Sequence, residues 1–121
     1  MGHRGPRCIY RPKEPPNIAL AFAARTQRLL AATARRLKQS RSNVVEHLLR
    51  RHAGTLGAED FPARLPKIRP NTCVSLTAFA KQVLDAAATR TGRNRADVVE
   101  ALIERFAADV TREEFKITEA A

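Results

Sequence analysis

The chain has 121 residues, 44% of them hydrophobic but only 5% aromatic and none Trp, so its core must come from Leu, Val, Ile and Ala, a composition better suited to packed helices than to a sheet sandwich. It carries 22 Lys and Arg against 12 Asp and Glu for a net charge of +10, concentrated in the first half: residues 1–60 hold 12 basic and 4 acidic residues, residues 61–121 hold 10 and 8. A chain this basic is expected to seek phosphate, on nucleic acid or on a membrane surface, while no apolar run approaches membrane-spanning length and no signal peptide is readable.

Residues 1–15 place Arg4, Arg7, Arg11 and Lys13 among prolines and read as a basic arm without folded structure. Cys8 and Cys73 lack metal-ligand spacing and read as isolated thiols of a reducing bacterial cytoplasm. From Pro16 onward the chain repeats. Val44-Val45-Glu46 recurs 54 residues later as Val98-Val99-Glu100, and the same offset runs without gaps from Pro16 to Ala53 against Pro70 to Ala107. It pairs Pro16-Asn17 with Pro70-Asn71, Arg36 with Arg90 and Arg41 with Arg95.

The first unit, residues 16–54, opens with a short alternating segment. Ile18, Leu20 and Phe22 form one apolar face and Ala19, Ala21 and Ala23 face the other way, the period of a half-buried strand. A helix is expected over 24–37 with Leu30, Ala34 and Leu37 on its buried stripe. Lys38 then stands where a left-handed residue would end the helix, at a cost of about 1 kcal/mol that Gly avoids. Ser40 caps a second helix with Asn43 three residues on, in a loose capping box, and Val44, Val45, Leu48 and Leu49 form its wide apolar face.

Residues 55–69, with Gly57, Pro62 and Pro66, read as a linker. The second unit, residues 70–110, repeats the plan: Val74 and Leu76 on the buried face of a strand, Cys73, Ser75 and Thr77 outward, a helix over 78–91 ended by Gly92, and an Asn94-capped helix with Asp97 in the capping-box position and Val98, Val99, Leu102 and Ile103 buried. Residues 111–121 form an acidic tail able to extend the last helix or cap the core.

A lone strand in each unit needs a partner for its backbone groups, and strand 18–22 can pair antiparallel with strand 72–76. Gly92-Arg93-Asn94-Arg95-Ala96-Asp97-Val98-Val99 and Gln39-Ser40-Arg41-Ser42-Asn43-Val44-Val45, each following an alternating strand and a helix, resemble the Gly-x-Ser-x-Ser-x-Val-Val segment of the ribbon-helix-helix family of DNA-binding proteins. The resemblance covers Asn17 to Val110. It implies a mainly α fold: a single-chain pseudo-dimeric ribbon-helix-helix, with one two-stranded antiparallel β-ribbon plus four helices.

It further implies that the ribbon enters the major groove of double-stranded DNA with Ala19, Ala21, Ala23, Cys73, Ser75 and Thr77 toward the bases. Phosphates would be held by Ser40, Arg41 and Ser42 and by Asn94 and Arg95 at the helix N-termini. Arg25 reads as a further phosphate contact, and Arg11, Lys13, Lys67 and Arg69, which precede the two strands, read either as following the backbone or as solvated charges. The first unit departs from the family in offering only Ala methyls, so weak or one-sided base readout with compensating phosphate contacts is expected. Paired units in one basic chain behind a Pro-rich arm resemble accessory proteins of Ti-plasmid T-DNA processing. That resemblance implies a C-terminal piece of a longer protein, acting beside a relaxase and a partition-type ATPase, with one chain per pseudo-dimer and cooperative arrays open to it.

Arg35, Arg36, Arg50 and Arg51 read as solvated helix charges, His52 as a partly packed counterpart of Phe106, and His3 and His47 as non-ligands. No Walker loop, catalytic triad or paired-carboxylate motif stands out, so neither an enzyme nor a cofactor, metal or small-molecule site is expected. Two other readings stay open: a plasmid repressor or antitoxin of the same fold, and a helical protein-interaction scaffold that binds no DNA.

Overall fold

A computed structural model describes residues 13–57, 61, 66–68 and 71–115, with side chains from Asn17 onward. The chain is mainly helical and carries a two-stranded antiparallel sheet. In order it forms β1 (Lys13–Leu20), α1 (Ala24–Leu37), α2 (Arg41–His52), β2 (Thr72–Thr77), α3 (Ala78–Thr91) and α4 (Arg95–Phe106). A short 3-10 turn follows each second helix, at Ala53–Thr55 and Ala107–Asp109.

The helices begin and end where their capping chemistry dictates. Ser40 Oγ accepts the Asn43 N–H at 3.0 Å and Asn94 Oδ1 accepts the Asp97 N–H at 2.8 Å, each satisfying one orphan donor of a first turn. In the capping-box positions, Asn43 Nδ2 donates to Gln39 Oε1, and Asp97 Oδ1 pairs with Lys67. α1 and α3 end at residues in the left-handed region, Lys38 at φ 57° and Gly92 at φ 72°. The two first helices thus stop by the same backbone device with different side chains.

β1 starts earlier than the sequence suggests. Residues 13–15, expected in an unfolded arm, belong to the strand, while residues 1–12 lie outside the described residues. Lys13 pairs with Thr77 and Glu14 with Leu76, the register breaks between Glu14 and Ile18, and it resumes as Ile18–Val74, Ala19–Cys73 and Leu20–Thr72. Pro15 and Pro16 fall in the break, as expected of residues with no N–H for the ladder. The linker mirrors this: Ala23 bridges Lys67, and the Ile68 N–H donates to the Phe22 carbonyl at 2.9 Å. Most of the remaining linker lies outside the described residues.

The core is one cluster under the sheet. Leu20, Phe22, Val74 and Leu76 from the strand segments meet Leu30, Val44, Val45, Leu48, Leu49, Leu84, Val98, Val99, Leu102 and Ile103 from the helices, all 2% exposed or less. The repeat runs past its apparent end. Leu56 and Val110, 54 residues apart, are both buried, and Phe61 and Phe115 both pack on the core. Phe115 does so from a single helical turn over 112–115, so the tail caps the core rather than extending α4.

Three interactions tie the halves reciprocally at the 54-residue offset. Glu46, fully buried, accepts the Thr77 N–H at 3.1 Å and the Thr77 hydroxyl at 2.7 Å, while Glu100 accepts the Ala23 N–H at 2.7 Å. Each carboxylate therefore caps the first helix of the opposite half. Each also has a cation: Arg50 Nε at 2.6 Å from Glu46, and Lys67 on Glu100. Arg36 donates to the carbonyls of Val110 (2.8 Å) and Ala107 (2.9 Å), and Arg90 to those of Leu56 and Ala53 (2.8 Å each). His52 stacks on Phe106 with ring centroids 3.8 Å apart and planes 4° from parallel. The packed His52 was expected. Arg36 and Arg50 were not, for their aliphatic length carries charges from exposed helix positions to acceptors in other elements.

Glu46→Ala is expected to cost about 3 kcal/mol in urea unfolding, because it orphans the Thr77 donors and leaves Arg50 without its counter-ion. Lys38→Gly should instead stabilise by about 0.5–1 kcal/mol in the same assay, the relieved left-handed strain outweighing the extra freedom of the unfolded chain.

Candidate nucleic-acid interface

A two-stranded ribbon has two faces, and only one is buried here. On the other face, Ala19 lies opposite Cys73 at the centre of the ladder, both exposed. One step beyond Ile18–Val74, Asn17 lies against Ser75, whose hydroxyl donates to Asn17 Oδ1 at 2.6 Å. One step beyond Leu20–Thr72, Ala21 lies against Asn71, and both line an open cleft of about 740 Å³ together with Lys81, Asn94 and Arg95. The outward set is therefore Asn17, Ala19, Ala21, Asn71, Cys73 and Ser75.

Ala23 and Thr77, expected to face outward, are instead 3% and 5% exposed. Alternation ends where the strand turns into a helix. Ala23 and Thr77 are the N-cap residues of α1 and α3, turned inward so that Glu100 and Glu46 can take their N–H groups. Asn17 and Asn71 occupy the other ends of the outward rows. Two signals could have found them: they share the parity of Ala19 and Ala21, and they belong to the repeated Pro-Asn pair.

The N-termini of the second helices flank this face. Ser42 Oγ accepts the Ser75 N–H at 2.8 Å, bolting the first turn of α2 to the edge of β2. Asn94, Arg95 and Ala96 at the start of α4 share the cleft with β1. The first-turn N–H groups of Arg41, Ser42, Arg95 and Ala96 have no intrahelical carbonyl to meet and sit at the positive end of the helix dipole. Arg41 is exposed, and Arg95 is exposed with its Nε 2.7 Å from Asp85 Oδ1. The arrangement can hold two anions on either side of a face carrying amides, a hydroxyl, a thiol and methyl groups.

The other expected phosphate contacts fare differently. Lys67 is taken by Asp97 at 3.3 Å and by Glu100, since a buried carboxylate demands a counter-ion. Arg25 pairs with Glu104 at 3.1 Å, turned toward α4. Ser40 spends its oxygen on its own helix cap. Arg11, Arg69 and the side chain of Lys13 lie outside the described residues. Arg35 is exposed as expected, and Arg51, 55% exposed, reaches Glu114 at 3.8 Å.

Among the described residues, every buried side-chain nitrogen and oxygen has a hydrogen-bond partner, and no group of three or more His, Cys, Asp or Glu could hold a metal ion. No helix among them is long and apolar enough to cross a membrane. Cys73 is a free, exposed thiol. No protein-family model matches the chain, and neither the curated proteins nor the solved structures include a match to it.

Among the described residues, the titrating groups with displaced pKa values, His52 and Glu114, lie outside the ribbon. Burial against Phe106, reinforced by the charge of Arg51 and by His47, lowers the pKa of His52 below 6.5. Burial pushes Glu114 up, but the hydrogen bond to His47 (2.8 Å), the Thr111 N–H and the charge of Arg51 outweigh it and leave its pKa below 4.5. A His whose folded pKa is depressed is protonated preferentially in the unfolded chain, so its contribution is lost as pH falls below 6.5 toward the folded value. Glu114 contributes above 4.5 and loses that contribution as pH falls toward its own lowered pKa. The melting temperature should therefore drop in two stages on acidification. His52→Phe should abolish the stage that sets in as pH falls through 6.5 and leave the acid stage intact.

Proposed function

We propose that the chain is a single-chain pseudo-dimeric ribbon-helix-helix protein that binds double-stranded DNA, its ribbon lying in the major groove and backbone phosphates resting on the N-termini of α2 and α4. One observation carries this reading: the exposed face of the antiparallel ribbon is flanked by both of those helix N-termini, each led by an arginine, Arg41 or Arg95. A ribbon of this width fits the major groove, and helix N-termini are ready-made phosphate sites. The net charge of +10 supports the same reading through counterion release.

In mechanism, the phosphate contacts fix the depth and register of the ribbon, and the outward side chains meet base edges. Ser42 is central to that register. By holding the Ser75 N–H it sets the distance from the α2 phosphate site to the reading face. Asn17, Asn71 and Ser75 supply donors and acceptors, while Ala19 and Ala21 supply methyl contacts of the kind that suit thymine.

Within this fold, two units in one basic chain behind a Pro-rich arm resemble the C-terminal part of the second protein of the agrobacterial virulence C operon. The proposed role is correspondingly that of an accessory factor that promotes T-DNA processing and transfer from a Ti plasmid, alongside a relaxase and a partition-type ATPase. A plasmid repressor or antitoxin would use the same DNA-binding face.

Fluorescence anisotropy on a labelled duplex tests the reading. Affinity should fall steeply from low to moderate salt, and Arg41→Ala and Arg95→Ala should each weaken binding to all sequences and lower the salt slope by about 1. Absence of duplex binding at low salt would overturn the DNA reading in favour of a protein-interaction scaffold. Equal affinity for the border-flanking enhancer called overdrive and for a scrambled duplex would overturn the T-DNA role while leaving DNA binding in place.

A further inference from the structure

Resting on the DNA-binding reading, we propose that the chain reads a non-palindromic site in one fixed orientation, with an A·T pair under the Ala21–Asn71 end of the ribbon and a guanine under the Asn17–Ser75 end.

The two ends differ in the hydrogen bond made by the asparagine amide. At one, the Ser75 hydroxyl donates to Asn17 Oδ1 at 2.6 Å, which takes one lone pair of the amide oxygen and leaves the two Nδ2 donors open. Adenine recognition by an amide requires an oxygen for the N6 amino group together with a donor for N7. An amide that meets the base through its donors faces the adenine amino group donor to donor, but it matches guanine, whose N7 and O6 are both acceptors. At the other end the residue facing Asn71 is Ala21, which has no hydroxyl to offer. The Asn71 amide keeps both its oxygen and its NH2 for a bidentate pair with adenine, and the Ala21 methyl suits the methyl group of a thymine.

The flanking charge differs in the same frame. Lys81 lines the cleft beside Ala21 and Asn71 with Arg95, whereas its counterpart at the 54-residue offset is the uncharged Gln27. Identical subunits could not hold such a difference. In one fused chain it is fixed by the covalent order of the halves.

Selection of bound duplexes from a random library, with the full chain, tests this. The wild-type consensus should be asymmetric about its centre, A·T on one side and G·C on the other, and exchanging the selected A·T pair for G·C should weaken binding about tenfold. Ser75→Ala frees the Asn17 oxygen and should turn the guanine half into a second A·T half, giving a near-palindrome. Ala21→Ser should do the converse. Both substitutions lie on the solvent-facing side of the ribbon, and circular dichroism verifies that each variant folds. A palindromic wild-type consensus, or a consensus that neither variant changes, overturns the proposal. Equal binding of all duplexes with a normal salt slope also overturns it while leaving DNA binding intact. Failure to bind any duplex at low salt removes the DNA reading itself.

Discussion

The structure depends on two carboxylates that each half buries on behalf of the other. Glu46 and Glu100 sit on the second helices, yet the helix N-termini they cap belong to α3 and α1 across the core. Removing a carboxylate from water costs several kcal/mol, and a charge-assisted hydrogen bond returns about 1.5–3 kcal/mol. Glu46 accepts the Thr77 N–H, the Thr77 hydroxyl and the Arg50 Nε, so gain and cost are of similar size and the net contribution to stability is small. What the exchange supplies is specificity. A half folded alone would hold a buried carboxylate without its donors and a first helix without its cap, so the halves complete each other or do not fold as observed.

That exchange also delimits the exposed face. Because Ala23 and Thr77 surrender their N–H groups to the carboxylates, both are drawn inward and the outward rows stop at Ala21 and Ser75. The Arg36 and Arg90 clamps act at the other end of the helices, holding the carbonyls that close α4 and α2. With both ends of the bundle fixed, the start of α2 is held against the edge of β2 and the start of α4 lines the cleft beside β1. Two helix N-termini and the exposed face of the ribbon thus share one frame.

Much of this was legible in the sequence because it is local. The helix bounds followed from Ser40, Asn94 and Gly92, the buried stripes from periodicity, and the antiparallel partnership from two strands with no other mate. What was illegible is non-local. Nothing near Arg36 announces carbonyls about 70 residues away, and a carboxylate on an apolar stripe is indistinguishable from a surface residue until the opposite helix end is placed. Alternation also misleads at its last step: it assigns Ala23 and Thr77 to the outer face because it carries no information about where a strand gives way to a helix. The strand's early start at Lys13 was hidden by Pro15 and Pro16, which a register break accommodates.

The matched pairs, Glu46 with Glu100, Arg36 with Arg90 and Leu56 with Val110, are side chains that satisfy or cover the opposite half, so a change in one leaves an unmet group across the interface. The mismatched pairs also cross between the halves, but each makes a contact that its counterpart replaces with a different one. Arg25 pairs with Glu104 where Phe79 lies under Arg50, and His47 binds Glu114 and packs on Phe115 where the counterpart position holds Ala101. Ser75 and Ala21 are mismatched as well, and neither contributes a side chain to the core. On the outer face of the ribbon the two halves can therefore diverge without disturbing the buried contacts that join them. That face is the one on which the proposed DNA-binding reading rests.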